Sequence, residues 1–159
     1  MKIALGTDHH GIEIGQVLVR HLRAEGHEVA TLGECRGEPC DYPDNAFLVA
    51  RAVVDGEAQR GILICGTAIG MSIAANKVSG IRAALVHDQA AAEISRRHND
   101  ANVLCLSGDT TPLQQVLKIV DAWLDTPFDG GRHERRVRKI MAIERGENPA
   151  GSVTDAATA

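Results

Sequence analysis

The residues best suited to do chemistry follow a short apolar run, Ile62–Ile64. The run reads as a buried strand that delivers a thiol, Cys65, onto a loop of small residues at positions 66–70. A helix-forming stretch comes next, and a helix that follows a parallel strand directs its free backbone N–H groups toward the loop. Such a positive field lowers the pKa of a thiol, and little steric cover leaves the thiol exposed. The pattern predicts a site that moves a proton beside an oxyanion, and the alternative is a tight turn with a core cysteine.

Two arginines near the end of the chain are candidates for holding a phosphate. Arg132 and Arg136 are four residues apart, so they project from one face of a helix. Converging guanidinium groups suit the oxygens of a phosphate group. The alternative is a solvated basic face, because other basic residues surround the pair.

Other candidate side chains lie where a strand or helix is predicted to end. His98 and Asn99 end a predicted helix, where a histidine can act as acid or base near neutral pH or simply favour the helix dipole. Asp8 and His9 follow the first strand, where the alternative is a polar loop with Asp8 as a helix cap. Tyr42 lies in a loop after the second strand.

The elements alternate regularly between strand and helix. Strands are predicted at 2–7, 28–32, 61–65, 82–86 and 103–107, and helices at about 12–25, 44–56, 69–78, 88–98, 112–124 and 132–144. This order is typical of βαβ units with right-handed crossovers. The predicted fold is α/β, a Rossmann-like three-layer sandwich in which a five-stranded parallel sheet carries helices on both faces. Ligands bind such sheets at the carboxyl ends of the strands, near a topological switch point.

Length and composition limit the class of protein. A chain of 159 residues suits one domain, predicted at 1–146 with its last helix at about 132–145, followed by a small, polar, disordered tail at 147–159. A net charge of -4 argues against a nucleic-acid partner. No run approaches the ~20 apolar residues of a membrane span. We therefore expect a soluble, cytoplasmic protein.

The four cysteines do not form a metal-binding pattern. Cys35 and Cys40 are close in sequence, but no second Cys or His pair completes a zinc site. Cys105 lies in an apolar run and reads as core. Because a cytosolic protein keeps its thiols reduced, the sequence predicts no structural disulfide and no metal.

Seven segments, in order, resemble ribose-5-phosphate isomerase type B, within the wider family of ribose and galactose isomerases. They are DHHG (8–11), DYP (41–43), ICGTAIG (64–70), SIAANK (72–77), GIRAALVHD (80–88), SRRHNDANVL (95–104) and GGRHERRVRKI (130–140). The resemblance implies an open α/β sandwich that forms a homodimer or a dimer of dimers, with sites shared between subunits. It also implies an aldose–ketose isomerase that works through an enediolate and needs no cofactor or metal.

The resemblance also implies a role for each candidate residue. Cys65 would be the base, Thr67 would pass a proton between sugar oxygens, and His98, with Asp8 nearby, would open the sugar ring. Some relatives use a glutamate as the base at the position that is Met71 here, so Cys65 is the only base that this loop offers. The other implied contacts are the backbone around Gly66, Ala68, Ile69 and Gly70 for the enediolate, Asn99 and Asp8 for the sugar, Tyr42 as pocket lining, and His9, Arg132 and Arg136 for the phosphate.

Two departures from the family pattern concern the substrate. Most relatives carry an arginine at the position of Asp109, and glycine is usual at Ala68. A carboxylate at position 109 would repel a phosphate. The alternatives are a sister isomerase for allose, allose 6-phosphate, galactose 6-phosphate or a tetrose phosphate, and a non-catalytic sugar-phosphate-binding module. A redox role for Cys65 is a weaker alternative.

Overall fold

The structure is a computed structural model that describes residues 1–33, 35 and 39–151. Its strands are β1 Lys2–Thr7, β2 Glu28–Thr31, β3 Arg60–Cys65, β4 Ala83–Leu85 and β5 Val103–Ser107. Its helices are α1 Ile12–Ala24, α2 Tyr42–Val54, α3 Ile69–Ala75, α4 Gln89–Asn99, α5 Leu113–Asp125 and α6 Arg132–Glu144. The alternation that the sequence predicts is confirmed.

The strands form one parallel sheet in the order β2-β1-β3-β5-β4. The direction in which the chain adds strands reverses between β1 and β3, which makes that junction the switch point. In the β1–β3 register Thr7 pairs with Ile64, so the loops after these two strands start side by side. The loop that carries Cys65 therefore lies where ligands bind in open α/β sheets.

Two hydrophobic clusters cover the two faces of the sheet. Successive strand side chains point to opposite faces, so Ile62 and Ile64 join the cluster with α1 and α5, which includes Trp123. Leu63 and Cys65 join the other cluster, with α2 and α3. The predicted three-layer α/β sandwich is confirmed, and the alternation along β3 aims the Cys65 side chain toward α3.

Helices α2 and α3 depart furthest from their predicted bounds, and the ends of the other strands and helices agree with the predictions within one residue. Helix α2 begins at Tyr42 rather than 44, with Pro43 in its first turn, where the missing N–H of proline has no partner to lose. Tyr42 is therefore the first residue of a helix and not a loop residue. Helix α3 ends at Ala75 rather than 78, because the Asn76 amide turns to the backbone of Ala83, donating to its carbonyl at 2.9 Å and accepting from its N–H at 2.8 Å.

Cys35 and Cys40 form a disulfide, so the prediction of no structural disulfide is wrong. Their Cα atoms are 5.7 Å apart, within the range that a disulfide spans. The prediction relied on the redox compartment, which does not determine how close the fold brings the two cysteines. The amide of Asn45 donates to the Thr7 carbonyl at 2.7 Å, which ties the start of α2 to the end of β1.

Helix α6 matches the predicted C-terminal helix closely. The predicted domain boundary at 146 stays a prediction, and positions 152–159 of the predicted tail lie outside the described residues. Within the described ranges, the helices are too short or too polar to span a membrane.

Candidate active site

Cys65 ends β3 and is buried, with 4% of its surface exposed. Its carbonyl accepts the Gly108 N–H at 2.8 Å, and the Ser107 hydroxyl donates to the Gly66 carbonyl at 2.6 Å. These bonds join the loop after β3 to the loop after β5. The sequence-based expectation of an exposed thiol is wrong, because α3 and the neighbouring loop cover the end of the strand.

Burial raises the pKa of the Cys65 thiol above its ordinary value. The backbone N–H groups of Met71, Ala68 and Thr67 act in the opposite direction, and the charge of Asp8 adds to the rise. The sequence argument counted the N–H groups but not the loss of water around sulfur. In the free chain the thiol is therefore protonated at neutral pH.

We expect the rate at which iodoacetamide alkylates Cys65 to rise with pH toward a midpoint above about 8.5, the ordinary thiol pKa. Only the thiolate reacts, and burial disfavours it. Peptide mass spectrometry at a series of pH values measures the rate for each cysteine. Cys105 is fully buried and serves as the unreactive control. A midpoint below neutral pH would contradict the raised pKa.

The loop between Cys65 and α3 turns through a left-handed residue. Ala68 has φ 66°, a conformation that costs an L-residue with a Cβ roughly 1–2 kcal/mol. This explains why a glycine suits the position. The turn brings the first N–H groups of α3 toward Cys65, while the side chain of Ile69 stays exposed. Thr67 is exposed, and its Oγ1 accepts the Ile69 N–H at 3.4 Å, so its hydroxyl hydrogen can be donated to a ligand.

Tyr42 packs against the first turn of α3. A Cβ built on Gly70 would collide with the Tyr42 ring, which shows that the ring lies directly on the backbone of this glycine. The ring remains 41% exposed. Tyr42 therefore lines the mouth of the Cys65 loop, as the resemblance implies.

We expect Gly70→Ala to lower kcat/KM by about tenfold, because a methyl group would push the Tyr42 ring off the loop and shift the N–H groups of α3. Steady-state kinetics on the substrate proposed below measures the effect. Gly26→Ala offers a control at a site with no neighbouring atom within 4 Å; its φ of 83° costs stability there without touching the loop. Unchanged kinetics for Gly70→Ala would show that Tyr42 does not position the loop.

Acidic and imidazole groups lie beside the same loop. Asp8 is 5% exposed, and its carboxylate accepts the His10 N–H at 2.9 Å. The exposed His9 ring lies 4.4 Å from the His10 ring. His10 Nδ1 is 2.9 Å from Asp109 Oδ1. His9, His10 and Asp109 line a pocket of about 460 Å³ that opens at the carboxyl edge of the sheet.

His98 and Asn99 lie at the opposite edge of the sheet. Helix α4 starts after β4 and returns beside the strands, so its last residues lie near their amino ends. The Asn99 carbonyl accepts Arg82 Nε at 3.0 Å, and Arg82 directly precedes β4. The five steps from Arg60 to Cys65 along β3 span roughly 17 Å. Within one chain, His98 and Cys65 therefore lie about one strand length apart, at opposite edges of the sheet.

The start of α6 joins His98 at this amino edge. The His98 and His133 rings are stacked with centroids 4.0 Å apart and planes 3° apart. Arg132 Nε lies 3.3 Å from His133 Nε2. Arg136 follows one turn later on α6, so the two arginines and the two histidines form one basic cluster.

His133 is buried and stays uncharged over most of the neutral range. Burial lowers its pKa, and so do the nearby positive charges of His98, Arg132 and Arg136, against a smaller opposing effect of Asp129. Its Nδ1 has no hydrogen-bond partner among the described residues. The neutral His133 ring can therefore stack on the His98 imidazole without placing a charge of its own beside it.

His98, Asp129 and His133 are the described residues that could together hold a metal ion, with ligand atoms within 4.8 Å of one another. Asp129 already pairs with Arg97, at 3.1 Å. The surrounding positive charges disfavour a cation there. The absence of a metal and of a cofactor stays a prediction.

The structure thus divides the predicted site residues into two groups. The carboxyl edge holds Asp8, His9, Tyr42, Cys65, Gly66, Thr67, Ala68, Ile69 and Gly70, and the amino edge holds His98, Asn99, Arg132 and Arg136. Sequence reasoning missed His10, Asp129 and His133 as site residues. The position of His10 shortly after a strand could have indicated this residue. No spacing in the sequence links Asp129 and His133 to His98.

The chain is similar to known proteins over most of its length. The sequence profile of the family Ribose/Galactose Isomerase matches residues 3–140. The chain is 48% identical over 147 residues to ribose-5-phosphate isomerase B of Escherichia coli, covering 92% of this chain and 99% of that protein. It is 40% identical over 148 residues to D-erythrulose-4-phosphate isomerase of Pectobacterium atrosepticum, covering 92% and 97%. The structure of ribose-5-phosphate isomerase B from Clostridium thermocellum superposes with a TM-score of 0.90 at 49% identity, covering 92% and 99%. The chain belongs to the ribose/galactose isomerase family.

Proposed function

We propose that this protein interconverts ribose 5-phosphate and ribulose 5-phosphate through an enediolate, with Cys65 as the general base. The observation that carries the proposal is the thiol at the end of β3, faced by backbone N–H groups of the following loop and helix. A base and oxyanion donors side by side are what proton abstraction next to a carbonyl requires. The type B ribose-5-phosphate isomerases to which the chain is similar support the choice of sugar.

Starting from the thiolate form of Cys65, the proposed reaction takes three proton transfers. Cys65 first loses its thiol proton to solvent, and the thiolate then takes the proton from carbon 2 of the open-chain aldose. The electron pair left on carbon 2 forms the bond between carbons 1 and 2. The charge moves to the carbonyl oxygen, where the N–H groups around 66–70 stabilise it. Thr67 passes the proton of the carbon-2 hydroxyl to the carbon-1 oxygen. Cys65 then returns its proton to carbon 1, which leaves the ketone at carbon 2.

The remaining groups come from a second copy of the chain in this proposal. His98 would open the furanose ring, Asn99 would bind sugar hydroxyls, and Arg132 and Arg136 would bind the phosphate together with His9. One chain cannot supply both edges of its sheet to one substrate, so a homodimer or a dimer of dimers with shared sites fits the separation.

An exposed apolar surface beside the Cys65 loop supports association of two copies. Phe47 and Leu48 on α2 are 53% and 44% exposed, and Ile69 and Ile73 on α3 are 55% and 57% exposed. Helices α2 and α3 pack against each other on one face of the sheet. Covering these side chains in a dimer would remove apolar surface from water next to the site.

The test is the rate of ketose formation from ribose 5-phosphate, with allose, allose 6-phosphate and a tetrose phosphate assayed beside it. Ribose 5-phosphate should have the highest kcat/KM. A higher value for the tetrose phosphate would favour the second candidate, which the similarity to D-erythrulose-4-phosphate isomerase supports. Binding of sugar phosphates without turnover or solvent proton exchange would instead indicate a non-catalytic binding module.

A further inference from the structure

The loop after β5 places a carboxylate at the rim of the proposed oxyanion loop. The Asp109 N–H donates to the Gly66 carbonyl at 3.2 Å. A Cβ built on Gly66 would lie 2.8 Å from Asp109 Oδ2, so this oxygen sits directly over the glycine. The other oxygen, Oδ1, is 2.9 Å from His10 Nδ1. Two loops from different strands thus hold one carboxylate in place.

The pair lies where the proposed substrate must pass. His10 is in contact with His9, the residue of this edge that we assign to the phosphate. Both members of the pair are 47% exposed, and both line the pocket of about 460 Å³ with Glu13. Asp109 therefore borders space that a ligand can occupy.

The charges at this rim do not suit a phosphate dianion. Asp109, Glu13 and the buried Asp8 are acidic, and this chain's own Arg132 and Arg136 lie at the other edge of the sheet. An ionised carboxylate only accepts hydrogen bonds, whereas a hydroxyl group can donate one to it. In the proposed dimer, Arg132 and Arg136 of the second copy would attract the phosphate, and Asp109 would oppose that attraction, whereas a sugar hydroxyl would find an acceptor in Asp109.

We propose that Asp109, held by His10, is a specificity-determining residue that favours a hydroxyl over a phosphate at this rim. This inference rests on the proposed function, because it assumes that the substrate's phosphate end lies beside His9. The pair weakens the binding of phosphorylated aldoses and improves the relative use of the same aldoses without phosphate. A half-exposed contact between a carboxylate and an imidazole adds little stability, so we expect the effect of the pair to fall on the ligand.

The test compares ribose 5-phosphate with ribose, which differ only in the phosphate. Asp109→Asn removes the charge and keeps the shape of the side chain. We expect the ratio of kcat/KM for the two sugars to rise about fivefold in favour of ribose 5-phosphate, a magnitude suited to one charge in a half-exposed site. Asp109→Arg should raise the ratio further.

The matched control is Asp121→Asn, which removes a carboxylate from another His–Asp pair. Asp121 lies 2.7 Å from His21 on the surface formed by α1 and α5, away from the Cys65 loop. This variant should leave the ratio unchanged. An unchanged or lower ratio in Asp109→Asn would overturn the inference, and an equal rise in both variants would reduce it to an effect of net charge.

Calorimetric binding of inorganic phosphate separates this inference from the proposed function. Asp109→Asn should bind phosphate about fivefold more tightly than the unmodified protein, and Asp121→Asn should not. If the unmodified protein isomerises neither sugar, the proposed function fails and the phosphate titration alone decides the role of Asp109. If it isomerises ribose 5-phosphate but all three proteins bind phosphate equally, only the inference fails.

Discussion

Cys65→Ala is expected to lower kcat for ribose 5-phosphate by about 10²–10⁴-fold, the usual contribution of a positioned general base. The loop N–H groups and Asp8 remain, so KM should change little. Cys65→Ser should lose as much, because a hydroxyl is far less acidic than a thiol. Exchange of the carbon-2 proton with deuterated solvent should fall in parallel, since the same group removes that proton.

Cys105→Ala is the matched control for this prediction. Cys105 lies on β5, in the same hydrophobic cluster as Cys65, and its side chain is completely buried. Its loss should reduce the free energy of unfolding, as removal of a buried side-chain atom does, but leave kcat nearly intact. A Cys65→Ala variant that is folded and keeps more than about a tenth of the original kcat would exclude Cys65 as the base.

Mixing two inactive variants is expected to restore activity if sites are shared between subunits. Cys65→Ala damages the carboxyl edge of a subunit, and His98→Ala damages the amino edge. In a mixed dimer one site carries both changes and the other carries neither. With random pairing of equal amounts, half of the dimers are mixed, so about a quarter of the unmodified rate should return.

The control for this experiment pairs two changes at the same edge. In a dimer of Cys65→Ala with Thr67→Ala, each site keeps one damaged carboxyl edge, so activity should not return. Native mass spectrometry verifies that mixed dimers form in both experiments. Failure of the first mixture to recover, with its mixed dimers present, would show that each site is built within one subunit.

The sequence by itself determined the order of the elements and supplied the candidate site residues. Apolar runs such as Ile62–Ile64 bounded by turn residues specify strands, and the stripe on α6 specifies a helix, because these patterns depend on neighbours along the chain. The position of Cys65 at a strand end followed from the same local pattern. The ends of the elements moved by up to three residues, as at Ala75, where the side chain of Asn76 bonds to the backbone of Ala83.

The tertiary structure decided what depends on distance in space. It buries Cys65 and so raises its pKa, whereas the local sequence indicated only the N–H groups that lower it. It joins Cys35 to Cys40, and it brings Asp109 into contact with His10, which is 99 positions away in the sequence. It also puts His98 at the far edge of the sheet from Cys65, because a helix that follows a parallel strand must run back beside it. Desolvation and pairing between remote segments depend on packing, which no local pattern contains.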